Sequence, residues 1–281
     1  MVDSSGRLAD NVGIKYFING EIKPVQGMEY LEIKTENIVY EVIRIIDGIP
    51  LFFEDHYCRL KNSLKLLGYE LALSAADIVS GIKKLVNANF LKNCNVKIIV
   101  YAEASVQNLI MYVSSSYYPD EDEYKKGIRV SLFEFERQNP NIKLIDRNYK
   151  ERINLLLQKN DVFEVLLVNK EGKITEGSKS NVFFVRKGKV YTAPSEYVLK
   201  GVTRKYVIEA CRREGIEVIE AFIDAGCFED IEGVFISGTS IKVLPISQID
   251  NYCFESGTNP VVVAVHRRFD KLVEEYLAEH K

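Results

Sequence analysis

Short runs rich in β-branched and aromatic residues recur in both halves of the chain and alternate with helix-like segments. Residues 16–22 carry an Asn-Gly turn signal and residues 38–46 run into Asp-Gly, as strands of β-hairpins do. The helix-like stretches have apolar residues three or four positions apart. Strands therefore cluster in both halves with helices between them, and 281 residues suffice for two ordinary domains. The sequence predicts an α+β fold in two lobes.

The division between the lobes is expected where apolar periodicity is lost. Residues 119–126 lie in a polar, acidic, proline-containing stretch and are predicted to be a linker. The predicted domains are residues 1–118, an N-terminal α+β domain, and residues 127–281, a C-terminal domain. Predicted helices cover residues 54–67, 75–88, 146–158, 203–214 and 261–280. Predicted strands cover residues 96–101, 109–114 and 128–133, a hairpin at 165–174 and a strand pair at 182–190, with others near Val218 and Val234.

Composition removes several classes of function. The net charge is −3 and no long basic run occurs, so a nucleic-acid or membrane-surface role gains no support. No apolar run reaches the roughly 18 residues that span a bilayer. The five cysteines are scattered without a Cys-x-x-Cys pair and the three histidines lie far apart, so we expect no disulfide framework and no metal site. Residues 1–11 are polar and acidic, unlike a secretory signal, and we expect a reduced, cytoplasmic protein.

The most distinctive local segment is residues 175–183, Thr-Glu-Gly-Ser-Lys-Ser-Asn-Val-Phe, which follow the predicted hairpin. Glu176 stands just past a strand end and is followed at once by Gly and Ser. Such a segment lets the backbone pass close to a ligand while one acid points at it. A plain turn explains the same residues equally well.

Three further segments are candidates for binding an anion. Arg59 shares a face of the predicted helix 54–67 with His56 and Ser63; guanidinium suits phosphate, although the spacing alone favours a surface arginine. Thr203 follows Gly-Val at a helix start, where free N–H groups favour phosphate, but it also fits a simple N-cap. The turn Ser-Gly-Thr-Ser at 237–240 offers hydroxyls and amides together, and it also fits an ordinary loop.

Lys143 is the candidate nucleophile. Most of the 37 basic residues are expected to be solvated surface charges. Lys143 is flanked by Ile142 and Leu144 just before a predicted helix, and desolvation lowers the pKa of an amine. It is therefore a better candidate for a catalytic lysine than most.

Taken in order, these segments resemble those of the fold-type-IV pyridoxal-phosphate (PLP) enzymes. The matching segments are His-x-x-Arg-Leu, Lys143, Thr-Glu-Gly-Ser-x-Ser-Asn, Leu-x-Gly-Val-Thr-Arg and Ser-Gly-Thr-Ser. That family holds branched-chain aminotransferases, D-amino-acid aminotransferases and aminodeoxychorismate lyases, and the resemblance runs from about Phe17 to Leu277. It implies a small N-terminal α/β domain and a larger C-terminal PLP-binding pseudobarrel domain. It also implies a homodimer or larger assembly.

The resemblance assigns a role to particular residues. Lys143, 33 positions before Glu176, is expected to form the Schiff base with PLP and to shuttle the substrate proton; Lys150 and Lys179 fit the pattern worse. Glu176 is expected to pair with the pyridine nitrogen. The other cofactor-binding residues implied are Arg59, Val202, Thr203 and Thr239 at the phosphate and Leu199 against the ring, and Tyr40 lines the substrate side.

The chain departs from the family where substrate is recognised. Many relatives carry Arg-Gly where this chain has Tyr101-Ala102-Glu103, so a familiar carboxylate-binding arginine is missing. The amides of Thr239 and Ser240 are candidates to replace it. Asp146-Arg147 after the lysine looks more like the lyases, whereas Val42 stands where lyases typically have threonine.

Three functions remain open from the sequence. The first is an aminotransferase that moves an amino group between an amino acid and a 2-oxo acid, with branched-chain amino acids as one candidate class. The second is an aminodeoxychorismate lyase that releases 4-aminobenzoate and pyruvate. The third is a non-catalytic ligand-binding relative, although Lys143, Glu176 and Arg59 are all retained. The first is favoured.

Overall fold

The computed structural model describes residues 10–30, 33, 35, 37–103 and 106–281, without the side chains of Glu29, Tyr30 and Arg147. Most of the polar segment 1–11, predicted not to be a secretory signal, lies outside these residues. The chain forms two compact units. Unit 1 consists of the chain up to Ser116 with Ile142–Lys150 and Tyr276–Lys281, and unit 2 of Tyr117–Asn141 with Glu151–Glu275.

The described residues form both helices and strands, with a 3-10 helix at Val25–Tyr30. The helices are α1 (Phe53–Leu66), α2 (Ala75–Ala88), α3 (Glu121–Lys126), α4 (Arg147–Asn160), α5 (Val202–Arg213) and α6 (Pro260–Glu279). The strands are β1 (Lys15–Ile18), β2 (Glu21–Pro24), β3 (Val39–Ile46), β4 (Ile49–Pro50), β5 (Cys94–Glu103), β6 (Val106–Ser114), β7 (Ile128–Glu134), β8 (Glu164–Val168), β9 (Lys173–Gly177), β10 (Asn181–Arg186), β11 (Lys189–Thr192), β12 (Val218–Glu220), β13 (Ile223–Asp224), β14 (Gly233–Gly238), β15 (Lys242–Ile249) and β16 (Tyr252–Cys253). No helix in the described ranges is long and apolar enough to cross a bilayer.

Unit 1 contains a six-stranded antiparallel sheet in the order β2-β1-β6-β5-β3-β4. Residues alternate between buried and half-buried along β3, so one row of its side chains enters a core with α1 and α2. Strand β5 is buried along most of its length on both faces. Polar residues that these strands carry are consequently held away from water.

Unit 2 contains a mixed ten-stranded sheet in the order β12-β11-β10-β14-β15-β7-β8-β9-β13, with β16 paired to β15. Its core includes Phe184, Ile236 and Leu244, which are at most 2% exposed. β10 pairs with β14 so that Asn181 faces Ser237. The start of one strand and the end of its neighbour therefore meet at one edge of the sheet, where most of the candidate residues of this unit lie.

The α+β class and most elements predicted from the sequence are confirmed. The two hairpins turn at Asn-Gly and Asp-Gly, and α2 has the predicted bounds. Two elements of the structure were not predicted. The predicted linker contains α3, which begins with a capping box between Asp120 and Glu123. β15, an eight-residue strand in the middle of the larger sheet, was not predicted, because Pro245 argues against a central strand. The domain boundaries remain a prediction.

Candidate active site

Helix α1 carries a buried polar row beside its apolar stripe. Leu60 and Leu64 pack in the core of unit 1, as their helical spacing predicts. His56, Arg59 and Ser63 are also buried, with 3%, 9% and 0% of their surface exposed. The expectation from the spacing that Arg59 is a surface residue is therefore wrong. Buried polar groups need partners, so this row marks a built polar site.

The partner of Arg59 is Glu41, a residue that the sequence reasoning did not assign to the site. Glu41 stands in the buried row of β3 and is 1% exposed. Its Oε1 accepts a hydrogen bond from Arg59 Nε at 2.7 Å and its Oε2 accepts one from Nη2 at 2.6 Å. This bidentate arrangement fixes the Nε–Nη2 edge of the guanidinium. His56 Nδ1 lies 2.8 Å from Glu41 Oε2.

The charges of this group are strongly coupled. Burial favours the neutral form of Glu41, yet the charge and hydrogen bonds of Arg59, with the hydrogen bond of His56, outweigh burial and lower the pKa of Glu41 to about 2. Burial also opposes the charge of Arg59, but Glu41 raises its pKa. Burial lowers the pKa of His56 more than Glu41 raises it. We infer a neutral imidazole at pH 7 whose Nδ1–H donates to Glu41.

Lys143 lies on a short extended segment that pairs with the start of β3. Tyr40 N–H donates to the carbonyl of Lys143 at 3.0 Å, and Ile145 N–H donates to the carbonyl of Ile38 at 3.0 Å. The amide of Lys143 donates to Ser63 Oγ at 3.3 Å. These bonds hold the backbone of Lys143 from both sides. Its Nζ lies 4.6 Å from the centre of the Tyr40 ring, so the predicted catalytic and substrate-side residues are in contact.

A buried lysine, Lys97, lies against the same ring and was missed by the sequence reasoning. Its Nζ is 5.2 Å from the centre of the Tyr40 ring. It is 2% exposed and donates to Asp10 Oδ2 at 3.1 Å. The sequence did carry a signal, because Lys97 interrupts the apolar run of the predicted strand 96–101 between Val96 and Ile98.

In unit 2, Glu176 is buried at 3% exposure near the end of β9. Its Oε1 lies 2.9 Å from Arg137 Nη1, and its Oε2 accepts a hydrogen bond from the amide of Leu199 at 2.9 Å. A cavity of about 190 Å³ is lined in part by Arg137, Glu176 and Tyr197. The ion pair stabilises the charged carboxylate, and the structure brings two predicted residues, Glu176 and Leu199, together.

Asn181, the last polar residue of the Thr-Glu-Gly-Ser-Lys-Ser-Asn segment, connects these groups to the start of α5. Its side-chain amide donates to the carbonyl of Leu199 at 3.0 Å. A Cβ on Gly201 would overlap the Asn181 Oδ1, so a larger residue there would displace the Asn181 side chain. The N-cap of α5 is Gly201, without a side-chain cap. Thr203 is therefore not an N-cap residue and lies with Val202 in the first turn.

Thr239 and Ser240 follow the end of β14 in the turn before β15 and are half-buried. Ser237, just before them, pairs with Asn181. Its Oγ is buried and has no hydrogen-bond partner among the described residues. Asn181 thus links Leu199, and through it Glu176, to the start of α5 with Val202 and Thr203. Thr239 and Ser240 follow the strand that pairs with Asn181.

Comparison with known proteins gives a consistent result. The family model "Amino-transferase class IV" matches residues 38–249. The chain is 27% identical to the D-alanine aminotransferase of Bacillus licheniformis, over 78% of this chain and 81% of that protein. It is 29% identical to the probable branched-chain-amino-acid aminotransferase of Aquifex aeolicus, over 84% of each.

Solved structures share the fold. The branched-chain amino acid aminotransferase of Thermobaculum terrenum in its PLP form superposes with a TM-score of 0.80 at 23% identity, covering 95% of this chain and 95% of that one. The branched-chain amino acid aminotransferase of Escherichia coli gives a TM-score of 0.81 at 20% identity, covering 93% and 94%. The predicted two-domain fold is confirmed.

Proposed function

The chain belongs to the class IV aminotransferase family, whose enzymes depend on PLP, and we propose that it transfers the amino group of a branched-chain amino acid with Lys143 as its catalytic residue. The contact of Lys143 Nζ with the Tyr40 ring carries the assignment of the residue. Hydrogen bonds hold the backbone of Lys143 on both sides, and its amine lies against a half-buried aromatic ring. The amine is therefore positioned for one task rather than solvated.

The described residues fit the cofactor in three respects. The start of α5 is a helix terminus whose N–H groups favour a phosphate, and its N-cap Gly201 carries no side chain that caps them. The hydroxyl of Ser237 is buried without a partner among the residues that the structure describes. Glu176 is a buried carboxylate whose charge Arg137 supports, as a partner for a protonated pyridine nitrogen requires. We assign the phosphate to Val202, Thr203, Thr239 and Arg59, and the ring to Glu176 and Leu199.

The chain's own residues then have defined tasks. PLP, when bound, supplies a sink for the electrons of the substrate Cα–H bond. Lys143 Nζ anchors the cofactor and is the base that removes the proton from the substrate Cα. Tyr40 orients Lys143 and lines the substrate side. Glu41 holds Arg59 in one orientation by its bidentate bond, so that Arg59 meets an anion without losing side-chain entropy at that moment.

The substrate class rests on relatives. The Aquifex aeolicus protein and a 28% identical Methanocaldococcus jannaschii protein are named as branched-chain-amino-acid aminotransferases, whereas the Bacillus licheniformis relative is named for D-alanine. We therefore propose a branched-chain amino acid as the substrate, with D-alanine as the alternative. The comparisons favour transamination over the lyase reaction that Asp146-Arg147 suggested.

We also propose a cytoplasmic homodimer. All five cysteines are free thiols, consistent with a reducing compartment. The dimer rests on the family resemblance, and light scattering of the purified protein at micromolar concentration tests it. A mass near twice 32.1 kDa is expected, and a monomer contradicts it.

A covalent trap tests the catalytic lysine. The purified protein is expected to absorb near 400 nm with PLP, and borohydride reduction followed by peptide mass spectrometry should place the cofactor on Lys143. Lys143→Ala should lose both the trap and turnover, whereas Lys179→Ala and Lys150→Ala should keep both. Labelling of another lysine would refute the assignment.

A half-reaction tests the substrate. Loss of the 400 nm band on adding L-leucine or L-valine, with recovery on adding a 2-oxo acid, is expected. Loss with D-alanine alone would establish the alternative. A band that no amino acid changes would contradict transamination.

A further inference from the structure

The ammonium of Lys97 is held inside unit 1 by a carboxylate and surrounded by aromatic rings. Lys97 stands in the middle of β5, opposite Val42 on one side and Tyr112 on the other. Its Nζ donates to Asp10 Oδ2 at 3.1 Å, and Tyr112 Oη donates to Asp10 Oδ1 at 2.6 Å. Two donors from two strands therefore converge on one carboxylate. Burying a charge without such a partner is costly. Lys97 and Tyr112 therefore form a preformed binding site for a carboxylate.

The position of this site connects it to the reaction. The rings of Tyr40 and Tyr112 lie 5.2 Å and 5.8 Å from Lys97 Nζ. Lys143 Nζ lies 4.6 Å from the same Tyr40 ring. The two amines thus share one aromatic side chain. The carboxylate of an amino acid is bonded directly to its Cα, so a substrate whose Cα lies within reach of Lys143 needs a cationic group nearby, and Lys97 contacts the same ring.

We propose that Lys97 Nζ and Tyr112 Oη form the subsite for the α-carboxylate of the amino acid and 2-oxo acid substrates, and that Asp10 fills this subsite until substrate displaces it. The proposal rests on the proposed function and names the group that replaces the missing arginine at residues 101–103. The bound carboxylate of Asp10 shows the chemistry that the subsite accepts.

Exposure indicates how a substrate reaches the subsite. The side chain of Asp10 is 21% exposed, whereas that of Lys97 is 2% exposed. Asp10 is the accessible member of the pair. An incoming carboxylate therefore meets Lys97 only by taking the place of Asp10, and the two carboxylates compete. Removing the charge of Asp10 should strengthen substrate binding, whereas removing that of Lys97 should weaken it.

The charge of Lys97 is poised near neutral pH. Burial lowers its pKa to about 7; Tyr40 opposes this shift, whereas the charges of Lys150 and Lys143 add to it. Asp10 and Tyr112 also face it, the first through its carboxylate and the second through its ring. The amine is protonated below pH 7 and loses its charge above it. Affinity for a carboxylate should therefore fall as the pH rises past 7.

The test compares a carboxylate and its amide on the holoenzyme. 4-Methylpentanoate has the side chain and carboxylate of leucine without its amino group, and 4-methylpentanamide is its neutral counterpart. Calorimetric titration at pH 6.5 should show that Lys97→Met raises the Kd of the carboxylate about 10- to 100-fold, the cost of a lost charged hydrogen bond, and leaves the Kd of the amide unchanged. Asp10→Asn should lower the Kd of the carboxylate. The control is Lys84→Met, an exposed lysine of α2, which should change neither.

The outcomes separate this subsite from the proposed function. Unchanged Kd values in both Lys97→Met and Asp10→Asn, or no preference of the wild type for the carboxylate over the amide, would overturn the subsite even in an active transaminase. A Lys97-dependent Kd in a holoenzyme that transfers no amino group would support the subsite and refute the function. If Lys97→Met fails to fold, the opposite shift in Asp10→Asn and the loss of wild-type affinity between pH 6.5 and 8.5 still decide.

Discussion

Replacing Glu41 with glutamine should destabilise the protein strongly, and the cause is electrostatic rather than steric. Glutamine keeps the shape of the side chain but removes the charge that Arg59 meets through two hydrogen bonds of 2.7 and 2.6 Å. Arg59 then remains buried without the charge of Glu41. Breaking a buried ion pair on one side is costly for this reason.

The magnitude follows from the ionisation of Glu41. Its pKa falls from an ordinary 4.5 to about 2, and at about 1.4 kcal/mol per pH unit this corresponds to roughly 3 kcal/mol of stability. Because the pKa is lower in the folded state, this stability is present above pH 4.5 and is lost as the pH falls toward 2. The difference in unfolding free energy between wild type and Glu41→Gln should therefore be largest at pH 7 and shrink below pH 4.5.

Urea unfolding of wild type and Glu41→Gln at equal concentration measures this difference. Both are unfolded as apoproteins, because bound cofactor would add to the stability of each. The matched control is Glu209→Gln. Glu209 also has its pKa lowered to about 2, by hydrogen bonds from Arg212 and Arg213, but its side chain is 29% exposed. Water screens such pairs, so the control should lose less than about 1 kcal/mol. Equal losses in the two variants, or a loss in Glu41→Gln that does not change between pH 7 and 3.5, would refute the reasoning.

Three smaller changes test other parts of the structure. Gly201→Ala should weaken PLP binding about 10- to 100-fold in an absorbance titration, because the new Cβ overlaps Asn181 Oδ1 and moves the start of α5; unchanged affinity would remove the helix start from the phosphate site. Gly257→Ala should cost about 1–3 kcal/mol of unfolding free energy, since its Cβ would overlap the carbonyl of Lys125, and a neutral result in urea would contradict that overlap. Ser74→Ala breaks the capping box of α2 and should lower the Tm by about 2–4 °C, whereas Ser80→Ala inside the helix should not.

The fold was predictable where local chemistry and tertiary packing agree. Helix α2 has its expected bounds because Ser74 caps it and its apolar residues repeat at helical spacing. The short helix α3 falls within the predicted linker because it buries no residue, although Asp120-x-x-Glu123 is a capping-box signal. Pairs of opposite charge four residues apart, Glu121 with Lys125 and Asp122 with Lys126, add to it.

The strand β15 shows a different limit of the sequence. Pro245 has no backbone N–H to donate, so the segment around it is expected to form an edge strand or a loop. In the structure the strand nevertheless lies between β14 and β7, and its register with β7 shifts between Ile246 and Gln248. The pairing with β7 begins at Ile246, one residue after Pro245, so the missing N–H of Pro245 does not interrupt that ladder. The sequence of the eight residues does not reveal where the pairing begins.

The candidate site divides in the same way. Glu176 and Lys143 could be predicted as site residues because each lies in a local motif and the motifs follow one another in a characteristic order. Glu41 and Lys97 were missed because their importance lies in partners far along the chain: Arg59 is 18 residues from Glu41, and Asp10 is 87 residues from Lys97. A charged residue within an apolar strand is the trace that such pairs leave in a sequence, since burying a charge requires a partner somewhere. Both β3 and β5 carry that trace. Glu41 orients Arg59, the proposed phosphate ligand. Lys97 contacts the ring of Tyr40, which Lys143, the proposed catalytic lysine, also contacts. The buried charges of unit 1 therefore indicate where its binding chemistry lies, because a core built for stability alone has no need of them.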